Sequence, residues 1–234
     1  MNLQTQAQLQ EPAKLEDSRA LTKLLLSYSK PSGKRSAFEL CVTGGPFVAS
    51  WICAWASLRF VGFWLAMPFM IAAAGFLVRL FMIQHDCGHG AFFRNKQLND
   101  WAGRVISVFT MTPYDFWRRS HAIHHATSGN LDARGIGDVD TLTVGEYLAS
   151  SRWGRLKYRL YRNPFVMFGI GPSYLFLVRH RLPAGMTRAD WRGWLSPLST
   201  NLCIAVLASG AIWAVGLPSF LLVHLPIMVL AASA

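Results

Sequence analysis

Two short stretches concentrate the side chains best suited to holding a metal. The first is His85-Asp86-Cys87-Gly88-His89, and the second is His121-Ala122-Ile123-His124-His125. Five of the seven histidines fall within these 41 residues. A neutral imidazole binds borderline metals at physiological pH and is the commonest protein ligand for them. On a helix, positions i and i+4 share a face, with Cβ atoms about 6 Å apart. His85 and His89 have that spacing. His121, His124 and His125 stand at i, i+3 and i+4, which also gathers three rings on one side.

A single histidine in an apolar helix is usually a packing residue. Two clusters are harder to explain that way, because unpaired polar groups near lipid are costly. Haem would use two histidines and leave the others redundant. Zinc is satisfied by three or four ligands. Five imidazoles point beyond either, to a binuclear site. Cys87 stands at i+2 from His85 and so points away from the His85/His89 face. Asp86 and Asp115 are placed to orient ligand rings as acceptors, or to be solvated cap residues.

The elements that must position these residues are apolar. Apolar residues make up 52% of the chain and charged ones only 15%, against about 25% charged in soluble domains. The expected fold is an all-α integral membrane protein, with two transmembrane helical hairpins and a cytosolic His-rich helical cap. Leu40–Leu58 and Phe60–Val78 carry no charge and are separated by Arg59 alone. Each is close to the ~20 residues that cross ~30 Å of hydrocarbon. They predict a first hairpin over residues 37–84, with Arg79 snorkelling to an interface. Residues 194–234 are again free of charge and long enough for a second hairpin, turning at Gly216-Leu217-Pro218. His224 in the last span reads as a packing residue.

Residues 1–36 form a polar N-terminal segment, with a short surface helix expected over Ala20–Tyr28. Residues 85–193 form the cap, with an amphipathic stretch at Trp101–Phe109, a turn at Gly135–Asp140 and a short helix at Thr141–Ser150. Pro164–Val178 is apolar but only 15 residues long and reads as interfacial or re-entrant. The net charge of +11 lies almost wholly outside the apolar runs. It predicts cytosolic loops on anionic lipid, with the N-terminus and cap on the same side. Such a face also suits an acidic redox partner. No nucleic-acid-binding motif is present. Cys41, Cys53, Cys87 and Cys203 lack CxxC spacing and read as buried apolar residues without disulfides.

With these residues in view, the chain resembles the membrane fatty acid desaturases, most nearly the bacterial acyl-lipid Δ12/ω-6 group. The resemblance rests on HDCGHGAFF (85–93), RRSHAIHH (118–125) and GDVDTLTVGEYL (137–148). It implies a di-iron oxidoreductase with His85, His89, His121, His124 and His125 as metal ligands. The implied reaction is O2-dependent introduction of a cis double bond into a lipid-linked acyl chain, with imidazoles as ligands and not general bases. Implied partners are membrane lipid and an electron donor such as ferredoxin or a cytochrome b5-like protein, with no nucleic acid. The implied location is a bacterial inner membrane, with the histidines on the cytosolic side. Aromatic residues such as Phe92, Phe93, Trp101 and Trp117 would pack the core or guide the acyl chain. The family pattern also has a third His-x-x-His-His segment after the second hairpin. The sequence stops at Ala234, so the resemblance implies an incomplete donor set for two irons, and hence a fragment or short form. A related lipid hydroxylase or carotenoid ketolase would share iron and spacing but insert oxygen. An inactive membrane metal-binding module is the reading from another class.

Overall fold

The computed structural model describes residues 20–25, 30–135, 139–182 and 192–234. Among them there is no β-strand. The first hairpin is α1 (Gly33–Phe60) and α2 (Phe63–Gly88). At 1.5 Å per residue these helices run about 42 and 39 Å, longer than the hydrocarbon. Their turn contains only Val61 and Gly62, and Gly62 takes φ 143°, a left-handed conformation that favours glycine. The second pair is α8 (Arg192–Val215) and α9 (Leu217–Ser233), joined at Gly216 with φ 82°. The helices α1, α2 and α8 are long and apolar enough to cross a membrane; α9, at 17 residues, is shorter. Each of the four carries an internal proline: Pro46, Pro68, Pro197 and Pro226. Membrane helices tolerate this because neighbouring groups re-satisfy the freed carbonyl.

α2 is the central helix. Its buried residues Ala66, Met70, Ala73, Leu77, Leu80, Gln84 and Cys87 recur at three- and four-residue steps. They form one stripe, packed by Phe47 and Ala54 of α1 and by Val223, Ile227 and Met228 of α9. The small residues Ala54, Ala66 and Ala73 are fully buried, which lets helices approach closely where lipid supplies no hydrophobic drive between them. His85 and His89 lie one step off this stripe, facing the cap. Arg79 does not simply snorkel: its guanidinium pairs with Glu39 of α1.

The cap begins with α3 (Lys96–Phe109) and α4 (Tyr114–Thr127). Asn95 caps α3, its Oδ1 accepting from the Gln97 and Leu98 amides at 2.7 and 3.4 Å. Next come α5 (Val144–Ala149) and α6 (Arg152–Tyr161). A capping box between Thr143 and Glu146 starts α5. The apolar stretch after α6 is a π-helical turn, Val166–Ile170, running into α7 (Gly171–Leu177). Both pieces pack against α9. Residues 20–25 are helical; the rest of the expected surface helix, and residues 136–138 of the expected turn, lie outside the described residues. The cysteine expectation needs correction. All four are unpaired, but only Cys87 is buried; Cys41, Cys53 and Cys203 are exposed. Their helix faces turn outward from the bundle, where an apolar environment would come from lipid and not from protein.

Candidate metal centre

His85 sits in the last turn of α2 and His89 is its C-cap. The helix stops there for a local reason. The Ala91 amide donates to the Asp86 carbonyl at 2.9 Å, and the Gly90 amide to the Cys87 carbonyl at 3.0 Å. Gly90 takes φ 69°. These are the 6→1 and 5→2 bonds of a Schellman ending with a left-handed glycine. The second cluster occupies the last two turns of α4.

Two close approaches set α4 against its neighbours. A Cβ on Gly103 of α3 would lie 2.2 Å from the Tyr114 ring, and a Cβ on Gly88 of α2 would lie 2.9 Å from the Trp117 indole. Tyr114, Trp117, His121 and His125 stand at i, i+3, i+7 and i+11, so one stripe of α4 carries both anchors and two imidazoles. The Tyr114 hydroxyl donates to the Cys87 carbonyl at 2.9 Å and lies 3.3 Å from Asp100. Asp100 pairs in turn with Arg118. Burial, as the largest influence, pushes the Tyr114 phenol up to about 12, which keeps it a donor. Gln84 closes the α3–α4 turn by donating to the Thr112 carbonyl at 3.2 Å and accepting from Thr110 at 2.6 Å.

The result is a tight group of imidazoles. The nitrogens of His85, His89, His121 and His125 all lie within 4.8 Å of one another. The Nε2 separations are 3.0 Å for His85–His121, 3.2 Å for His89–His121, 3.3 Å for His85–His89 and 3.0 Å for His121–His125. The first three close a triangle. Each neutral ring presents either a proton or a lone pair at Nε2, never both. At least one side of any such triangle is therefore a clash of like groups. A cation among inward-turned lone pairs removes the conflict. Ligands about 2.1 Å from a shared ion sit about 3.0 Å apart at a right angle and about 3.4 Å apart at the tetrahedral angle. These four separations fall in that interval, so the His85–His89–His121 triangle fits a metal ion, with His125 beside it. Burial, followed by the neighbouring imidazoles, pushes His121 down to about 4 and lowers His89 as well. Both rings are thus neutral at physiological pH, the form that ligates.

Four of the five expected ligands are gathered in this way. His124 lies outside the group, its ring centroid 6.0 Å from that of His121 and 5.7 Å from that of His125. Trp117 stacks on His121 at 4.7 Å and 16°. Asp86 approaches His85 only to 3.5 Å. Asp115 is taken by a two-point pair with Arg104 at 2.9 and 3.1 Å. Trp101 is exposed, with Arg104 over its ring at 5.3 Å, whereas Phe92 packs on the core.

A cavity of about 770 Å³ opens beside His121, walled by Phe81, Trp117, Phe176 and Leu175 and reaching His180. His180 stands between Arg179 and Arg181 and belongs to neither histidine cluster. Its Nδ1 is sealed from solvent and has no hydrogen-bond partner among the described residues. Burial and the flanking arginines push it down to about 4. The neutral buried state follows from tertiary packing and leaves no local pattern. His224 stacks on Phe220 at 5.0 Å and lines a separate apolar cavity of about 240 Å³ between α1, α8 and α9.

Comparison with known proteins bears on this geometry. Residues 34–234 match the family model described as fatty acid desaturase. A fatty acid desaturase of Bacillus subtilis is 44% identical over 215 residues, covering 92% of this chain and 60% of that protein. An sn-1 acyl-lipid omega-3 desaturase (ferredoxin) of Synechocystis is 39% identical over 79 residues, covering 33% of this chain and 22% of its own length. An endoplasmic-reticulum omega-3 fatty acid desaturase of Nicotiana tabacum is 32% identical over 113 residues, covering 48% and 28%. The chain therefore spans three fifths or less of the length of these relatives. No solved structure matches. A helical membrane-type bundle, a metal-ready imidazole group and a match over 34–234 together establish that the chain belongs to the fatty acid desaturase family.

Proposed function

We propose that this chain carries part of the metal site of an acyl-lipid desaturase that introduces a cis double bond into a lipid-linked fatty acyl chain. The observation that carries the proposal is the four-nitrogen group at the joined ends of α2 and α4. His85, His89, His121 and His125 would hold the first iron, and His124 would turn toward a second. Bound iron would supply the activation of O2 needed to remove hydrogen from an unactivated CH₂ pair. The imidazoles would hold the ions as neutral donors and take no proton. Trp117 fixes the plane of His121 by stacking. Phe81 and Phe176 line the mainly apolar side of the cavity that an acyl chain would enter beside His121. The basic cap supports placement on the cytosolic side of a multi-pass bacterial inner-membrane protein, facing a ferredoxin-type donor.

The test is expression in a host with defined acyl lipids, followed by gas chromatography of fatty acid methyl esters and iron analysis of the purified chain. One iron held at the four-nitrogen group is expected of the chain alone, with a second iron and new cis-alkenoic acids once the further histidine donors of the family pattern are supplied. Hydroxylated acids without alkenes would replace desaturation with hydroxylation. A second reading has one specific support: the four nitrogens converge on a single centre. One firmly bound ion and no acyl product even with those donors supplied would favour a non-catalytic metal-binding module.

A further inference from the structure

We infer that α6 is an interfacial helix that docks on anionic phospholipid headgroups and holds the cap against the membrane. The helix, RWGRLKYRLY, contains four cations and no carboxylate, and Arg162 follows at its end. At about 100° per residue, Trp153, Leu156 and Leu160 fall within a narrow arc. All three are uncovered, at 79%, 44% and 57% exposure. Arg152, Arg155, Arg159 and Arg162 flank this wedge on one side, and Lys157 flanks it on the other.

The opposite face is occupied. Tyr158 and Tyr161 hydroxyls accept from the Leu142 and Asp140 amides at 3.2 and 3.1 Å. At the rim, Arg159 is tied back to the cap, donating to the Tyr147 hydroxyl at 2.6 Å. These bonds fix the helix roll, so the Trp/Leu wedge is held outward. An apolar wedge rimmed by cations whose stems can snorkel is the pattern of a helix lying in a headgroup layer. Chain continuity places it there. The next segment exposes Phe165, Phe168 and Ile170 while packing against α9. An acidic redox protein would also meet the cations, but it would not account for three outward apolar side chains continuous with a segment packed on an apolar bundle helix.

The inference rests on the membrane reading of the bundle and not on desaturation, so a catalytically silent chain tests it equally well. The full chain is placed in nanodiscs of phosphatidylcholine alone, or of phosphatidylcholine mixed with phosphatidylglycerol. Amide hydrogen exchange is then followed over residues 152–162. Exchange in the anionic discs should be slower by on the order of tenfold. The difference should shrink at high salt and in the Arg152→Gln/Arg155→Gln/Lys157→Gln variant. Equal exchange in both lipids, with α5 unchanged, would overturn the inference. So would protection that appears only when an acidic ferredoxin is added. Trp153→Ser/Leu160→Ser should speed exchange in both lipids; no effect there would remove the wedge from the account.

Discussion

Gly103→Ala tests whether close helix approach is what brings the imidazoles together. An ideal Cβ at position 103 would lie 2.2, 2.5 and 2.6 Å from three carbons of the Tyr114 ring. Carbon atoms rest at about 3.5–4.0 Å, so ring and helix must separate by more than about 1 Å. The ring has little room to yield: it is fully buried and its hydroxyl is bound to Cys87 at 2.9 Å. Two effects oppose each other. Alanine in a helix interior is favoured over glycine by about 1 kcal/mol. Overpacking a filled site costs about 1–3 kcal/mol, and so severe an overlap belongs at the upper end. The net expectation is a loss of about 2 kcal/mol, read as a lower thermal midpoint in nanodiscs. Because Tyr114 and His121 share one stripe of α4, relief of the clash should also open the nitrogen group. Metal titration should show at least about tenfold weaker binding. Gly75→Ala is the control, since nothing lies within 4 Å of its Cβ; it should be neutral or mildly stabilising. A Gly103→Ala protein as stable as the parent and equally avid for metal would show that the α3–α4 spacing does not set the nitrogen group.

Two further outcomes follow from the site. His121 Nε2 meets three other imidazole nitrogens at 3.0–3.2 Å, so His121→Ala should abolish binding at the four-nitrogen group. His124→Ala should leave that ion in place and, with the further donors supplied, lower the iron count by one, as measured by elemental analysis; equal losses from both variants would contradict the assignment. His180, pushed down to about 4 by burial and its arginine neighbours, stays neutral in the fold while the unfolded chain takes up a proton below about 6.5. The unfolded state therefore binds more protons between those values, and stability falls as pH drops through that window, by at most roughly 3 kcal/mol from this group. His180→Gln should flatten that part of the stability–pH curve; an unchanged slope would remove His180 as its source.

Local features can be read from the chain without its fold. Runs without charge fix where spans form, because length against bilayer thickness needs no partner. Imidazoles at i and i+4 share a face in any helix, so each histidine cluster was legible before the fold was known. The end of α2 was written in the chain too, since Gly90 alone can take the left-handed turn cheaply. Tertiary structure decided everything that depends on how near two helices come. Gly88 and Gly103 carry no periodic signature, yet their missing side chains admit Trp117 and Tyr114 and so bring α4 against α2 and α3. The same packing separates His124 from its four neighbours, seals His180 beside the cavity, turns Cys41, Cys53 and Cys203 outward and hands Asp115 to Arg104. Periodicity reports the face a residue occupies on its own helix. The distance between faces is set by side-chain volumes at the contact, and those belong to pairs of residues far apart in the chain.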